Sequence, residues 1–402
     1  MQVNLIGLGS GQEETRSAEA QRALEQSGLV LGAARLLRSL PAVPGQTRIA
    51  AARPEEIAAC LQKSDAKDPC VVFSGDTGFY SGADGLLRLL REAGIAWRVL
   101  PGLSSVQLLS ARLGEPWQDW VLCSAHGRPC DPIAALMTGK PAFFLTGGGQ
   151  TPASLCREIR DAGLGALQAV VGEKLGCPDE RLVTQTVEAC AGADFAPLSV
   201  LLVEAAPHPC ERPGGIPDEA FCRGEVPMTK QELRAVILAK LAPGPEDTVW
   251  DVGAGTGSVS VELALTARRG QTWAVDAREE ACALIEENRR RFGAWNLRLV
   301  RGRAPEALSP LPAPDAVFIG GSGGQLEGIV DAALAKNPAV RLCVPAIALE
   351  TLSAALAVFA ARGLDAEVTQ IAVSRARPGA RLHLLLANNP VFLVTACGGT
   401  RT

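Results

Sequence analysis

Asp251-Val-Gly-Ala-Gly-Thr-Gly257 closes an apolar run, Thr248–Val252, and opens a helical pattern over residues 258–267. Glycines directly after a strand let the backbone turn sharply and come close to a ligand. Residues 272–275 form the next apolar run, and it ends at Asp276, nineteen positions after Gly257. A carboxylate at the end of that second strand accepts hydrogen bonds from ribose hydroxyls. A long helical stretch then runs to about residue 292, with strands predicted at 296–300 and Ala316–Ile319. This β-α-β-α-β order demands a parallel sheet with right-handed crossovers. The stretch therefore reads as a nucleoside-binding α/β fold.

Two ligands compete for this turn. The dinucleotide fingerprint G-x-G-x-x-G needs glycine at position 258, where Ser258 stands. An acidic residue directly before G-x-G-x-G instead resembles motif I of class I methyltransferases, where it helps hold the cationic amino-acid end of S-adenosylmethionine. A diphosphate ligand would not want that role. S-adenosylmethionine is the preferred reading, a dinucleotide the alternative, and a turn without ligand a third. Upstream, Leu233, Val236, Ile237 and Leu241 fall on one helical face. Thr229 and Glu232 read as a T-x-x-E capping box for a helix beginning at Lys230; a cofactor contact by Thr229 is the other reading. Downstream, Asp315-Ala-Val-Phe-Ile-Gly-Gly-Ser-Gly-Gly324 lies where that class puts its catalytic motif IV, without N-P-P-[YF]. Such a loop leaves room for a large flat substrate and offers N–H donors, with Gly321, Ser322 and Gly323 as candidate substrate positions. Asn388-Asn-Pro390 reads as a turn.

Working further outward, five prolines and three glycines between Pro207 and Pro227 exclude a sustained helix or central strand. The predicted boundaries are a first domain over 1–206, with lobes of about 1–114 and 119–206, a linker over 207–225 and a second domain over 226–402. In the first domain, strands are predicted at 3–6, Cys70–Phe73 and 97–100, each followed by a glycine- or serine-rich turn. Further strands are predicted at 120–124, 142–145, 169–171 and 200–203, with helices at 83–93, 106–113 and 151–162. Two α/β lobes result, with glycine turns at the strand ends where open α/β sheets bind ligands.

The 402 residues are 47% hydrophobic and carry a net charge of -4, with mean hydropathy +0.15. That apolar content supports several cores, and the acidic balance argues against a general grip on nucleic acid. Apolar stretches fall short of the ~18 residues that a membrane span needs, and the N-terminus lacks a signal-peptide pattern. Twelve cysteines occur without a C-x-x-C pair, and three histidines complete no metal-ligand pattern, so no metal is expected and a reducing cytoplasm is. Only seven of the 39 basic residues are lysines. Codon bias is the plain cause, and carboxylate recognition by guanidinium groups is the sharper one. Arg375, Arg377 and Arg381 read either as a solvated face or as ligands of a polycarboxylate. His126, in Ser124-Ala-His-Gly-Arg128, is structural or part of a substrate loop. His208 and His383 receive no role. No catalytic acid or base is assigned.

Taken in order, the motifs resemble one family. Gly7-Leu-Gly-Ser-Gly11, Ser74-Gly-Asp-Thr-Gly-Phe-Tyr-Ser81, Pro101-Gly-Leu-Ser-Ser105, Ser124 to Arg128, Leu145-Thr-Gly-Gly-Gly-Gln-Thr-Pro152 and Gly172 to Arg181 are similar to the tetrapyrrole (corrin/porphyrin) methylases, a class III methyltransferase fold. Val226-Pro-Met-Thr-Lys230, Asp251 to Gly257, Ala304-Pro-Glu-Ala307 and Gly320 to Gly324 resemble the decarboxylating precorrin methyltransferases. Ser10 and Thr77 depart from a proline common in the family at each position. The fused order resembles the precorrin-6Y 5,15-methyltransferase (decarboxylating) family of cobalamin synthesis. The resemblance implies a two-lobed tetrapyrrole methylase followed by a Rossmann-like class I domain, with one S-adenosylmethionine site in each half. It carries Gly75, Asp76, Thr77, Ser104, Ser105 and Leu145 as cofactor positions in the first half. In the second it carries Thr229, Gly253, Ala254, Gly255, Thr256, Gly257, Asp276 and Ala304. It implies an anionic tetrapyrrole as substrate, held through Arg128, Arg375 and Arg377, and a homo-oligomer. An rRNA methyltransferase and a non-catalytic binder of tetrapyrrole or cofactor are the alternatives.

Overall fold

The computed structural model describes residues 1–207, 214–379 and 382–398. Residues 1–130, 141–157 and 166–204 form one compact unit; residues 131–140, 158–165 and 205 onward form the other.

The first unit holds two sheets. One contains β1 (Gln2–Gly7), β2 (Leu29–Gly32), β3 (Thr47–Ala50), β4 (Cys70–Phe73) and β5 (Ala96–Leu100), all parallel, in the order β3-β2-β4-β1-β5. Alternation sorts its strands between two cores. Val3, Leu5, Leu31 and Val71 pack on helices Pro54–Gln62 and Ala83–Glu92 through Ile57, Leu61, Leu86 and Leu90. Ile6, Val30 and Val72 meet Ala20 and Leu24 of helix Ala18–Gln26 on the other face. Coverage on both faces is the usual state of a parallel sheet. The second sheet contains β6 (Val121–His126), β7 (Ala142–Gly147), β8 (Gln168–Glu173), β9 (Arg181–Thr186) and β10 (Ser199–Val203), ordered β6-β7-β10-β8-β9. Only β6 and β7 run parallel to each other. The helix predicted over 151–162 ends at Ile159 and continues as a wider turn, Arg160–Leu164, where Gly163 takes φ 87°.

The second unit carries β11 (Thr248–Val252), β12 (Gln271–Asp276), β13 (Leu297–Arg301), β14 (Ala316–Ile319), β15 (Arg341–Ala346), β16 (Glu367–Ile371), a hairpin of β17 (Ser374–Gly379) and β18 (Leu382–Ala387), and β19 (Val391–Cys397). Its main sheet is ordered β13-β12-β11-β14-β15-β19-β16. The four predicted strands, β11 to β14, are parallel as expected, and β15, which was not predicted, joins them in parallel. β19 runs antiparallel between β15 and β16, because the hairpin returns the chain beside β16 without a crossover. Strand order reverses between β11 and β14, the switch point where open α/β sheets bind ligands. Helix Ser258–Thr266, leaving the glycine turn, is buried from Ser258 through Leu265.

The linker expectation needs revision from Gly214 onward. Residues 214–229 are hydrogen-bonded into the second unit at many points, because their irregular backbone must find side-chain partners once buried. Among the described residues no helix is long and apolar enough to cross a membrane.

Candidate functional site

Adjacent strand ends build the C-terminal site. Gly253, Gly255 and Gly257 take φ of 72°, 60° and 75°, a region that only glycine enters at low cost. A Cβ at Gly253 would lie 2.5 Å from the Gly321 carbonyl oxygen, so the turn after β11 touches the loop after β14. Gly320, Gly321, Gly323 and Gly324 are exposed, and Ser322 is half-buried. Ala304 sits in the loop after β13, half-buried, two residues past Gly302, whose N–H donates to the Asp276 carbonyl (3.1 Å). The predicted turn, Asp276, Ala304 and the 320–324 loop thus share the carboxyl ends of β11, β12, β13 and β14.

Two acidic residues set the electrostatics. Asp276 is buried, and its carboxylate accepts from Gly255 N–H (3.0 Å) and from Arg278 N–H, Nε and Nη2 (3.0, 3.2 and 3.1 Å). Burial alone would raise its pKa; the Arg278 and Gly255 hydrogen bonds outweigh this and bring it below the ordinary value. Asp251 is completely buried, and desolvation pushes its pKa up to about 7 against hydrogen bonds from the hydroxyl and the backbone of Ser260. Its Oδ1 and the Thr256 hydroxyl, both buried, have no hydrogen-bond partner in the protein. Buried polar atoms without partners are uncommon, and these two belong to the glycine turn and the strand feeding it.

A buried ion network underlies the turn. Arg234, 0% exposed on helix Gln231–Leu241, donates to Glu262 Oε1 (2.9 Å), Asp218 Oδ1 (2.8 Å), the Thr229 carbonyl (2.5 Å) and the Ile216 carbonyl, and stacks on Phe221. Asn288 accepts from Cys222 N–H (2.8 Å) and donates to the carbonyls of Cys222 and Thr256 (3.0 and 2.9 Å). Pro227 lies against the turn: a Cβ on Gly255 would be 3.0 Å from its carbonyl oxygen. The capping box is not formed. Lys230 is the N-cap, without a side-chain cap bond, and the Glu232 carboxylate is drawn away to Arg375.

Arg375 already has acidic partners within the chain. Its Nε and Nη2 donate to Glu232 (2.8 and 2.6 Å), and Nη2 also reaches Asp218 Oδ2 (3.2 Å), so its fork already holds carboxylates of the protein. Arg377 pairs with Leu384 in the hairpin backbone; its side chain lies outside the described residues, as do Arg381 and His208.

The first unit contains a cavity of about 310 Å³ lined by Gly75, Asp76, Ser104, Ser105 and Leu145 from the predicted set. Beside Gly75 of its wall, glycine meets glycine. A Cβ at Gly7 would meet Gly102 N at 2.6 Å, and one at Gly102 would meet the Gly75 carbonyl at 2.5 Å, so the turns after β1, β4 and β5 touch. Asp76 pins two of them, accepting from Gly78 N–H (2.8 Å) and Gly102 N–H (3.2 Å). Ser104 caps helix Ser105–Leu113 in a capping box with Gln107. Thr77 is buried but is not part of the cavity wall. Arg128 is exposed and stacks over Tyr80, a wall residue, at 5.1 Å. His126 lines the cavity, as do Arg35, Ser199 and Val200, which sequence reasoning missed. Arg35 stands outside every motif, and Ser199 and Val200 arrive by antiparallel pairing of β10, so no local pattern marks them. Arg234 and Asn288 were missed likewise, since a charged or amide residue on a helix reads as solvated.

Comparison with known proteins follows this division. Residues 2–191 match the family model of the Tetrapyrrole (Corrin/Porphyrin) Methylases, and residues 219–397 match the Precorrin methyltransferase domain. Both matches are methyltransferase families, and the chain falls in the class of S-adenosylmethionine-dependent methyltransferases. A Sinorhizobium protein, Precorrin-6Y C(5,15)-methyltransferase [decarboxylating], is 32% identical over 94% of this chain and 91% of its own. A Mycobacterium tuberculosis protein of the same name is 30% identical over 84% of this chain and 85% of its own. The Salmonella typhimurium Cobalt-precorrin-6B C(15)-methyltransferase (decarboxylating) is 42% identical over 45% of this chain and 94% of its own. The chain belongs to the family of decarboxylating precorrin-6Y C(5,15)-methyltransferases.

Proposed function

We propose that this chain methylates precorrin-6Y at carbons 5 and 15 and decarboxylates its ring-C acetate, giving precorrin-8 in cobalamin synthesis. The single observation that carries this reading is the end-to-end likeness to a protein of that name over 94% of the chain. In this reading each half binds one S-adenosylmethionine; the first half methylates carbon 5, and the second methylates carbon 15 and carries out the decarboxylation. In the second half the Gly253 to Gly257 backbone, Asp276, Thr229 and Ala304 hold it. The unpartnered Asp251 Oδ1 and Thr256 hydroxyl fit a ligand with an ammonium group and further polar atoms. In the first half Gly75, Asp76, Ser104, Ser105 and Leu145 line a cavity able to enclose part of such a ligand, with Thr77 behind them.

Bound S-adenosylmethionine supplies an electrophilic methyl group on a sulfonium. The conjugated precorrin carbons are enamine-like nucleophiles and need no strong base. The chain's task is then alignment and exclusion of water. The exposed 320–324 loop offers N–H groups and space beside the glycine turn, and Arg128, on the rim of the first cavity, is free to meet a peripheral carboxylate. Electrons released with carbon dioxide pass into the macrocycle, so the decarboxylation also asks for orientation of the acetate.

Two further parts belong to the proposal. The hairpin leaves Leu384, Leu385 and Leu386 59%, 74% and 45% exposed, and a two-stranded sheet with such a surface favours burial in a homo-oligomer. Light scattering on the whole chain tests this; a monomer would overturn it. All the described cysteines are free thiols, which supports a reducing, cytoplasmic setting.

The activity is tested by mass spectrometry of precorrin-6Y incubated with S-adenosylmethionine and the purified chain. Gain of two methyl groups with loss of one carbon dioxide is expected. Unchanged substrate, with cofactor binding intact, would overturn the substrate assignment.

A further inference from the structure

We propose that Arg375 is a positioning residue for the C-terminal cofactor site, acting from the hairpin by holding the segment whose Pro227 carbonyl lies against the glycine turn. The inference rests on the reading that residues 253–257 bind S-adenosylmethionine.

The segment between Gly214 and Lys230 has one short 3-10 turn, Asp218–Ala220, and otherwise no regular structure. Its position is set by side chains. From beneath, Glu262 accepts from Ile216 N–H (3.0 Å), and Arg234 gathers Asp218 and the carbonyls of Ile216 and Thr229. From helix Glu279–Arg291, Asn288 ties Cys222 to the Thr256 carbonyl in the turn itself, and Glu280 accepts from Glu225 N–H (2.9 Å). Val226 packs on Ala281 and Leu284. Arg375 supplies a hold from outside this group, at the start of β17. It grips Glu232, in the first turn after the segment, through two hydrogen bonds, and Asp218 through a third. Asp218 thus bridges two arginines, Oδ1 to Arg234 and Oδ2 to Arg375.

Charge decides what Arg375 adds. Asp218, Glu232 and Glu262 place three carboxylates near the buried cation Arg234; the Arg375 guanidinium holds the Glu232 carboxyl below its ordinary pKa range. Without Arg375, Glu232 turns to water and the Asp218 Oδ2 bond is lost. The anchor on the segment loosens at both ends of residues 218–232. Pro227 and Thr229 lie between those ends, and the Pro227 carbonyl already meets the turn closely at Gly255. A displacement of a few tenths of an ångström there changes the clearance for a bound cofactor. Arg375 and Glu232 are each about two-fifths exposed, and pairs this exposed add little to global stability. The substitution therefore acts on the site before it acts on the fold.

The test uses the full chain with Arg375→Ala, Arg375→Lys, Glu232→Gln and the double variant Arg375→Ala/Glu232→Gln. The readouts are thermal unfolding and the kinetics of carbon-15 methylation. Arg375→Ala is expected to raise the KM for S-adenosylmethionine about tenfold. It should leave kcat, the KM for precorrin and carbon-5 methylation within twofold. The lysine variant, keeping charge but losing the fork, should fall between it and wild type. The double variant should match Arg375→Ala, which already removes the Glu232 contact, while Glu232→Gln, which leaves the Asp218 bond, should have the smaller effect. An unchanged KM for S-adenosylmethionine, or a rise confined to the KM for precorrin, would overturn the proposal; the latter would make Arg375 a substrate ligand. If the wild type binds no S-adenosylhomocysteine at this site, the reading beneath the inference fails, and the inference with it.

Discussion

At the residue scale, the C-terminal site turns on two acids with opposite surroundings. Asp251 is sealed from water, and its pKa, about 7 against an ordinary 3.8, means that the folded chain keeps a proton the unfolded chain loses. Stability should therefore fall as pH rises from about 4 to about 7, and Asp251→Asn should flatten that slope in urea titrations. An ammonium group against Oδ1 favours the ionised acid, so binding expels the proton. Wild-type affinity for S-adenosylhomocysteine at this site should then climb as pH passes through about 7. The Asn variant should bind about tenfold to a hundredfold more weakly above that pH and show no climb. Calorimetry in two buffers of different ionisation enthalpy reads the released proton directly; identical heats in both would refute the linkage. Asp276 is the reverse case. A carboxylate has about four acceptor positions, and two backbone N–H groups and the Arg278 guanidinium take them. Under the proposed function, a ribose diol bound to Asp276 must displace that guanidinium. Arg278→Ala should accordingly tighten S-adenosylhomocysteine binding about threefold to tenfold by removing the competitor. Weaker binding by that variant would mean that Arg278 serves the ligand itself.

At the element scale, strand ends were legible where chemistry forces a residue type. Three glycines with positive φ in five positions cannot be read as anything but a tight turn, and Asp276 could be placed because the next apolar run stops there. Thr248–Val252, Cys70–Phe73 and Ala316–Ile319 came out at their observed bounds, since each is a short apolar run between breakers. β3, Thr47-Arg-Ile-Ala50, is polar and half-exposed and offers no apolar run to read, whereas β2, Leu29–Gly32, is as apolar and as long as β4 and was missed all the same. The strand β19 was not predicted, and its antiparallel place between β15 and β16 depends on partners far along the chain. Arg375 fails for the same reason: its carboxylate lies 143 residues away, on a glutamate that local spacing assigns to a helix cap. Local rules find turns and caps; they do not find which charge a fold brings to which.

At the scale of the whole molecule, the two units solve one problem twice, by glycine contacts between neighbouring strand ends. In the first, Gly102 sits against the Gly75 and Gly7 carbonyls, with its substitution contacts at 2.5 and 2.6 Å. In the second, Gly253 sits against Gly321, and its φ of 72° is itself hostile to a side chain. A methyl group at either position must push a backbone, not a flexible side chain. Alanine there should cost about 2–4 kcal/mol of local stability, concentrated at the strand ends that carry the site. Because each contact lies within one unit, the damage should stay in that unit. Gly102→Ala should therefore give a product with one new methyl group and one lost carbon dioxide. Gly253→Ala should give a product with one new methyl group and the acetate intact. Mass spectra of the two products, with the methyl positions fixed by carbon-13 labelling, separate the activities. If Gly102→Ala abolished both methylations while unfolding in two resolved thermal steps with the second unchanged, the halves would not act independently. A single protein would then be running one coupled reaction, and the carbon-15 step would have to wait on the carbon-5 product.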